Sequence, residues 1–406
     1  MTLTFLVCRL INAAAISISI IGLALYFGAE SWSSVVLIQT ISAFLPFMSF
    51  GYNEGFGLRL PFREQLSTKL LPLLLINVVL SVFLAVVLLF GYLFYSFPIY
   101  YFILPLALVA ILTFSLVRIY FRSLGAIPQL SRLYLINAIM VFASAYGATL
   151  MQEALWFLIF FHISQLLSCL VAILLTDIPV FSGYRKSVKG LGRFILAMSR
   201  RGIPLLCSYL LFEAVMNADR LQIILTDKTA ALSLLGIALT ISRGSYMILS
   251  VINTSQYKTM ANLIRERNGT SLVRNMRVQM AWGFIVSLAA LLFFFTVTNS
   301  SLFLGKYPSY AGVAKYIFWQ GLYITLFSII IPLSTFCNLY YGGRVYLITM
   351  LMISSFITIF AVITANLDLS IWTFYAISIL GLTVAAGSLF SRVKGELMKW
   401  NRLTFL

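Results

Sequence analysis

Tyr209, Glu213, Asn217 and Arg220 follow one another at steps of four, four and three in the stretch GIPLLCSYLLFEAVMNADRLQIIL. On a helix that spacing stacks a hydroxyl, a carboxyl, an amide and a guanidinium on one face. Such a column can hold an anion through the guanidinium, carry a proton or cation on the carboxylate, or bridge to a neighbouring helix. Glu213 and Arg220 are about 10.5 Å apart along the axis, too far for a direct pair. Asp219 is adjacent to Arg220 but about 100° around the helix, so its partner is expected on another helix.

Gly236, Thr240, Arg243, Ser250 and Thr254 form a second stripe at steps of four, three, seven and four, with an arginine near its centre. A narrow polar stripe on an apolar helix is expected to line a cavity. A third row runs Gln39, Ser42, Pro46, Ser49 and Asn53, followed by Glu54 and Arg59. Arg9 and Asn12 share a face of the first apolar stretch. For Arg9, as for Arg59, Arg118 and Arg122, two readings stand: a cavity-facing cation, or a side chain snorkelling to the interface. Pro46 and Pro332 each remove a backbone hydrogen bond deep in an apolar run, either as hinges or as packing kinks. His162, the only histidine, is expected to be a packed, hydrogen-bonded imidazole rather than a proton relay.

The elements that must position these residues are set by composition. The chain has 406 residues, 61% of them apolar in type and 10% charged, with a mean hydropathy of +1.01. Soluble domains carry about 25% charge, so a cytosolic enzyme, a nucleic-acid-binding module and a disordered chain are excluded. A bilayer core of about 30 Å needs about 20 helical residues, and apolar runs of that length recur throughout. Twelve spans are expected, at 4–27, 33–52, 70–95, 99–119, 132–151, 154–176, 202–226, 230–256, 278–298, 313–340, 345–366 and 370–391. The first is read as a retained helix rather than a signal peptide, because its apolar run is too long and Arg9 lies within it.

The 28 Lys and Arg against 11 Asp and Glu give a net charge of +17, which in a membrane chain is first a topology signal. Basic residues gather in alternate connections: Arg59, Arg63 and Lys69; Arg118, Arg122 and Arg132; Arg185 to Arg201; Lys258 to Arg277; Arg344; and the tail from Arg392. Both termini are therefore expected to be cytoplasmic. Trp32, Trp156, Trp282, Trp319 and Trp372 fall near expected span ends, where an indole suits the interface. The most basic connection divides the chain into an N-terminal lobe at 1–178, a linker at 179–199 and a C-terminal lobe at 200–406. Six spans are even in number, so both lobes start on the same side and any repeat between them is parallel. The fold class is thus an all-α polytopic membrane protein with two six-helix lobes around a central cavity.

Catalytic constellations are absent from the sequence. Cys8, Cys169, Cys207 and Cys337 are isolated in apolar segments, there is no H-E-x-x-H, and GYRKS at 183–187 lacks the spacing of a phosphate-binding loop. No cofactor, no metal and no nucleic-acid partner is expected.

The arrangement resembles the flippases of the MOP (multidrug, oligosaccharidyl-lipid, polysaccharide) exporter superfamily, especially Wzx-type O-antigen and capsule-unit transporters. The resemblance rests on the six-plus-six division and on two stretches. LALYFGAESWSSVVLIQTISAFLPFMSFGYNEGFGLRL at 23–60 looks like that family's first hairpin, with Glu30 to Trp32 in place of its usual glycine-tyrosine. IPLLCSYLLFEAVMNADRLQIIL followed by LLGIALTISRGSYMI is similar to its seventh and eighth spans, including the Asp-Arg pair, here Asp219 and Arg220. The resemblance implies a polyprenyl-diphosphate-linked oligosaccharide as substrate, moved across a bacterial inner membrane by alternating access. Arg220, Arg243 and Arg9 would meet the diphosphate, Asn12, Asn53, Asn217 and Thr240 would face the same cavity, and Glu213 or Asp219 would couple transport to protons or sodium. Membrane lipids, a polysaccharide polymerase and a chain-length regulator are the partners implied. Two alternatives stay open: an exporter of small organic molecules with the same architecture, and a membrane-embedded polysaccharide polymerase or ligase.

Overall fold

The computed structural model describes residues 3–62, 64–175, 190–217, 220, 230–341, 344–366 and 371–403. Among them there is no strand, and ten helices are long and apolar enough to cross a membrane. The expected eighth and eleventh spans are also helical, in Ala230–Arg265 and Arg344–Asn366. Residues 179–189 of the expected linker, Asp219 and the end of the expected seventh span at 221–226 lie outside the described residues, and the rest of the expected linker is helical from Leu191.

Helix α1 covers Leu3–Ser42, and at 1.5 Å per residue such a length would be about twice a bilayer core. Gly28 breaks it, with φ 80 and ψ 168, a conformation closed to other residues. The segments on either side, Thr4–Gly28 and Ser31–Ser49, are the first two crossings, with the break where the sequence placed it. Trp32 stands at the start of the second crossing, as expected, and is fully buried against Phe157, with ring centroids 6.0 Å apart.

Pro46 differs from expectation. The second crossing does not continue as one helix to residue 52; α1 ends at Ser42 and Leu45–Ser49 is a 3-10 turn with Pro46 at its start. Pro46 has no N–H to return to the Ser42 carbonyl, so the α-helix stops before it. Phe50 and Gly51 then take left-handed conformations, φ 46 and 77, and the chain turns into α2, Tyr52–Arg59. Pro46 therefore begins a tight turn instead of kinking an intact helix.

The remaining helices of the first half are α3 (Leu70–Tyr95), α4 (Ile103–Leu124), α5 (Ile127–Met151), α6 (Leu155–Leu174) and α7 (Leu191–Met216). The second half adds α8 (Ala230–Arg265), α9 (Gly269–Thr298), the short α10 (Ser301–Lys306), α11 (Val313–Tyr341), α12 (Arg344–Asn366) and α13 (Ile371–Leu403). Residues cluster into two compact units, Met1–Leu206 and Cys207–Leu406, so the divide falls inside α7.

Each unit is built around its fourth crossing. In the first, α4 packs on α1, α3, α5 and α6; in the second, α11 packs on α8, α9, α12 and α13. The most apolar windows of α4 and α11 are 56% and 72% buried, whereas those of α3 and α9, the third crossings, are only 17% buried. An apolar helix with so little cover inside the protein gives its surface to lipid. The same order of central and peripheral helices in both halves is what a parallel repeat requires.

Candidate functional site

The polar residues singled out by sequence fall into separate groups. In the first unit Arg9 and Asn12, one turn apart on α1, face Tyr134 and Asn137, one turn apart on α5. The Arg9 guanidinium carbon lies 4.0 Å from the centroid of the Tyr134 ring, and Asn137 Nδ2 donates to Asn12 Oδ1 at 2.7 Å. Both α1 residues are buried. Arg9 thus does not snorkel outward: the electron-rich ring face substitutes for part of its lost hydration. Arg118 and Arg122 of α4 lie within electrostatic range of Arg9, which gathers three cations in one region of this unit.

Asn53 on α2 is 1% exposed, and neither its amide nitrogen nor its carbonyl oxygen finds a hydrogen-bond partner among the described residues. Buried amides without protein partners are places where water or a ligand is needed. Next to it lies Glu54, which follows the polar row of the second span in sequence. It is buried beyond the second crossing, and accepts a hydrogen bond from Ser49 Oγ at 3.2 Å, while Ser49 Oγ itself accepts one from Gly51 N at 3.2 Å. Burial pushes the Glu54 carboxyl up to about 7. On the neighbouring turn Tyr52 donates to Asn77 Oδ1 and ties α2 to α3.

Because the folded chain holds the Glu54 proton more tightly than the unfolded chain does, this residue contributes stability below its ordinary carboxylate range, and that contribution is lost as pH rises through about 7. Glu54→Gln is therefore expected to flatten thermal stability between pH 5 and 8 and to raise it at the alkaline end by about 2 to 3 kcal/mol. Thermal unfolding of both proteins in detergent across that range checks this; parallel pH profiles would show that Glu54 is not the group responsible.

In the second unit the column is joined by hydrogen bonds, with Glu213 on α7 and Asn217 and Arg220 just beyond its last residue, Met216. Asn217 Nδ2 donates to the Glu213 carbonyl at 2.7 Å and to Glu213 Oε2 at 3.3 Å, and Arg220 Nη1 donates to Asn217 Oδ1 at 3.4 Å. Asn217 thus bonds to both Glu213 and Arg220. Burial deepens along the column: Tyr209 is exposed, Glu213 half-buried, and Asn217 and Arg220 are buried. Thr240 on α8 is buried too, and its hydroxyl donates to the Gly236 carbonyl at 2.8 Å, one turn earlier. Arg243 lies in α8, but its side chain, like all of Asp219, is outside the described residues.

A further polar cluster, not singled out in sequence, surrounds Pro332 in α11. Proline leaves the Ser328 carbonyl without its usual helical donor. A narrow hollow there is lined by Asn253, Gln279, Ser328 and Pro332 among others. Thr335 Oγ1 donates to Asn253 Oδ1 at 3.0 Å, Asn275 Nδ2 donates to Gln256 Oε1 at 3.0 Å, and Gln279 donates to Asn275. These amides knit α8, α9 and α11 together around the proline, as polar side chains do between helices in lipid. Their signal in sequence was the one-turn spacing of Asn275 and Gln279 on an otherwise apolar helix. His162 is buried on α6, its Nδ1 3.3 Å from Gln165 Oε1.

The whole arrangement is similar to solved structures of MATE transporters. An outward-facing multidrug resistance MATE family transporter of the MOP superfamily superposes with a TM-score of 0.71 over 98% of this chain and 96% of that one, at 16% identity. A MATE in complex with MaL6 gives 0.68 over 98% and 97%, at 18% identity. A MATE in complex with MaD5 gives 0.71 over 98% and 96%, at 14% identity. No protein-family model matches the chain. No curated protein matches it in sequence. The chain therefore has the all-α, multi-pass, MATE-like twelve-helix fold of these transporters.

Proposed function

We propose that this protein is a flippase that carries a polyprenyl-diphosphate-linked oligosaccharide, an O-antigen, capsule or exopolysaccharide unit, from the cytoplasmic to the outer leaflet by alternating access. The observation that supports this reading best is the gathering of arginines at buried or half-buried positions: Arg9 with Arg118 and Arg122 in one unit, and Arg220 in the other. Like charges brought together away from bulk water call for an anion, and a guanidinium fork fits diphosphate oxygens in pairs. Asn12, Asn53, Asn217 and Thr240 would complete the polar surface met by the sugar, with Arg243 contributing from α8. The polyprenyl tail would stay in lipid.

Glu213, held through Asn217 to Arg220, and Asp219 are the proposed coupling groups for a proton or sodium ion. Pro332, with a polar hollow beside it, is proposed as a hinge of α11. In this reading the protein sits in a bacterial inner membrane with both termini cytoplasmic, beside a polysaccharide polymerase and a chain-length regulator. A second reading, export of small organic molecules, is supported by the multidrug name of a solved neighbour. Organic cations would need a net negative binding surface, and the buried arginines argue against one.

The test is transport by the purified protein in vesicles loaded with a fluorescent polyprenyl-diphosphate-linked oligosaccharide, read by access of an added quencher to the opposite leaflet. Translocation above protein-free vesicles is the expected result. Export of an organic cation with no movement of the lipid-linked sugar would replace this reading with the second.

A further inference from the structure

The basic end of the second unit carries a feature outside the residues assigned to transport above. Between α9, α11 and α13 lies a cavity of about 280 Å³ whose floor is Met276, Leu333 and Val393, all buried. Met280 and Leu397 wall it, and Phe390 and Met398 stand at its mouth, each about half exposed. Arg277 and Lys394, both exposed, complete the lining, and no carboxylate takes part in it. The acid nearest in sequence, Glu396, hydrogen-bonds Tyr341 instead. A second hollow of about 400 Å³ adjoins the first, sharing Val273 and Arg277 and adding Arg274.

The most apolar windows of α9 and α13, which flank the slot, are only 17% and 28% buried, the sparse cover of helices that meet lipid, and an apolar slot rimmed by cations suits a lipid. We propose that this groove is a binding site for a glycerophospholipid with an anionic headgroup. The phosphate sits between Arg277 and Lys394, and the first part of an acyl chain enters the slot between α9 and α13. Three observations converge on that occupant. The volume lies just below the range of about 300 to 1,000 Å³ typical of small-ligand pockets, enough for part of a chain. Methionine side chains adapt their shape to a flexible hydrocarbon. The lining has two positive charges and no negative one, so an anionic headgroup gains where a zwitterionic one, bringing its own ammonium, does not. The groove lies at the helix ends that also carry Arg265, Arg267 and Arg392, which is the cytoplasmic leaflet in the topology proposed above. Only the choice of leaflet rests on that topology.

The experiment is native mass spectrometry of the full chain in detergent, with equal amounts of dioleoylphosphatidylglycerol and dioleoylphosphatidylcholine added. Each basic residue near a membrane surface gives roughly fivefold in favour of an anionic lipid, so the two together should give about a thirtyfold preference for phosphatidylglycerol. Arg277→Ala with Lys394→Ala should bring the two lipids close to parity. Arg265→Ala with Arg267→Ala, on the same basic end but outside the groove, should leave the preference intact. Parity in the unaltered protein, or an equal loss with either pair of substitutions, would overturn the proposal. So would displacement of phosphatidylglycerol by undecaprenyl phosphate with the same dependence on Arg277 and Lys394, which would assign the groove to the transported carrier. Lipid preference is measured without transport, so a protein that moves no lipid-linked sugar yet keeps this preference would refute the flippase reading and leave the lipid site standing.

Discussion

Replacing Arg220 by alanine is expected to reduce translocation of a polyprenyl-diphosphate-linked oligosaccharide in reconstituted vesicles by about 10- to 100-fold, with normal protein accumulation. A hydrogen bond to a charged group contributes about 1.5 to 3 kcal/mol, and the loss falls on substrate binding when the removed group is the one that meets the phosphate. The fold should tolerate the change. Asn217 Nδ2 still donates to Glu213 at 3.3 Å, so the carboxylate keeps a neutral partner after the guanidinium is gone. Arg220→Lys keeps the charge but not the planar fork and should retain an intermediate rate. Arg9→Ala should lower transport in the same way, with some loss of stability because the Tyr134 ring loses the cation packed 4.0 Å from its centre. Transport at the unaltered rate in both Arg9→Ala and Arg220→Ala would remove the anion-binding assignment.

The sequence could show which residues share a helical face, but not which neighbouring helix receives them. Arg9 and Asn12 read as one stripe, and the structure supplies the other half of the contact, Tyr134 and Asn137, at the same one-turn spacing on α5. Nothing in a hydropathy profile marks Tyr134 as the partner of a cation more than 120 residues away. For Glu213 and Arg220 the spacing showed a shared column, but the hydrogen bonds of Asn217 to both depend on its rotamer, which spacing does not determine. Pro46 was legible as a backbone break but not as the start of a 3-10 turn, because that outcome depends on the left-handed residues Phe50 and Gly51 after it. Trp32 was legible as a residue near a span end, but not its burial against Phe157, which needs the position of a distant helix. The crossings themselves were legible because apolar runs of bilayer length have few alternatives to a helix.

Gly202→Val is expected to cost the protein more stability than any other change considered, about 3 kcal/mol or more, seen as a large fall in unfolding temperature in detergent and poor accumulation in the membrane. A Cβ at Gly202 would lie 1.8 Å from the Gly51 carbonyl oxygen and 2.4 Å from Gly55 N. The reverse contact is equally closed: a Cβ at Gly55 would lie 2.0 Å from the Met198 carbonyl oxygen. All of these are backbone atoms, so no side-chain rotation relieves the overlap. Gly51 and Gly55 are separated by three residues, the small-residue spacing that lets helix backbones approach in lipid, and here they receive the first half of α7. That half belongs with the first compact unit. Pro204 follows the contact by two residues, and the unit boundary comes at Leu206 and Cys207. The helix thus has a point of reduced backbone bonding just beyond the place where it is clamped. Gly192→Ala on the same helix is the control, because a Cβ there meets nothing within 4 Å. It should be neutral or stabilising by up to about 1 kcal/mol, since alanine restricts the unfolded chain. A Gly202→Val protein as stable as the Gly192→Ala control would mean that the backbones of α7 and the Gly51–Gly55 turn do not approach as closely as 1.8 Å for a Cβ at Gly202 implies.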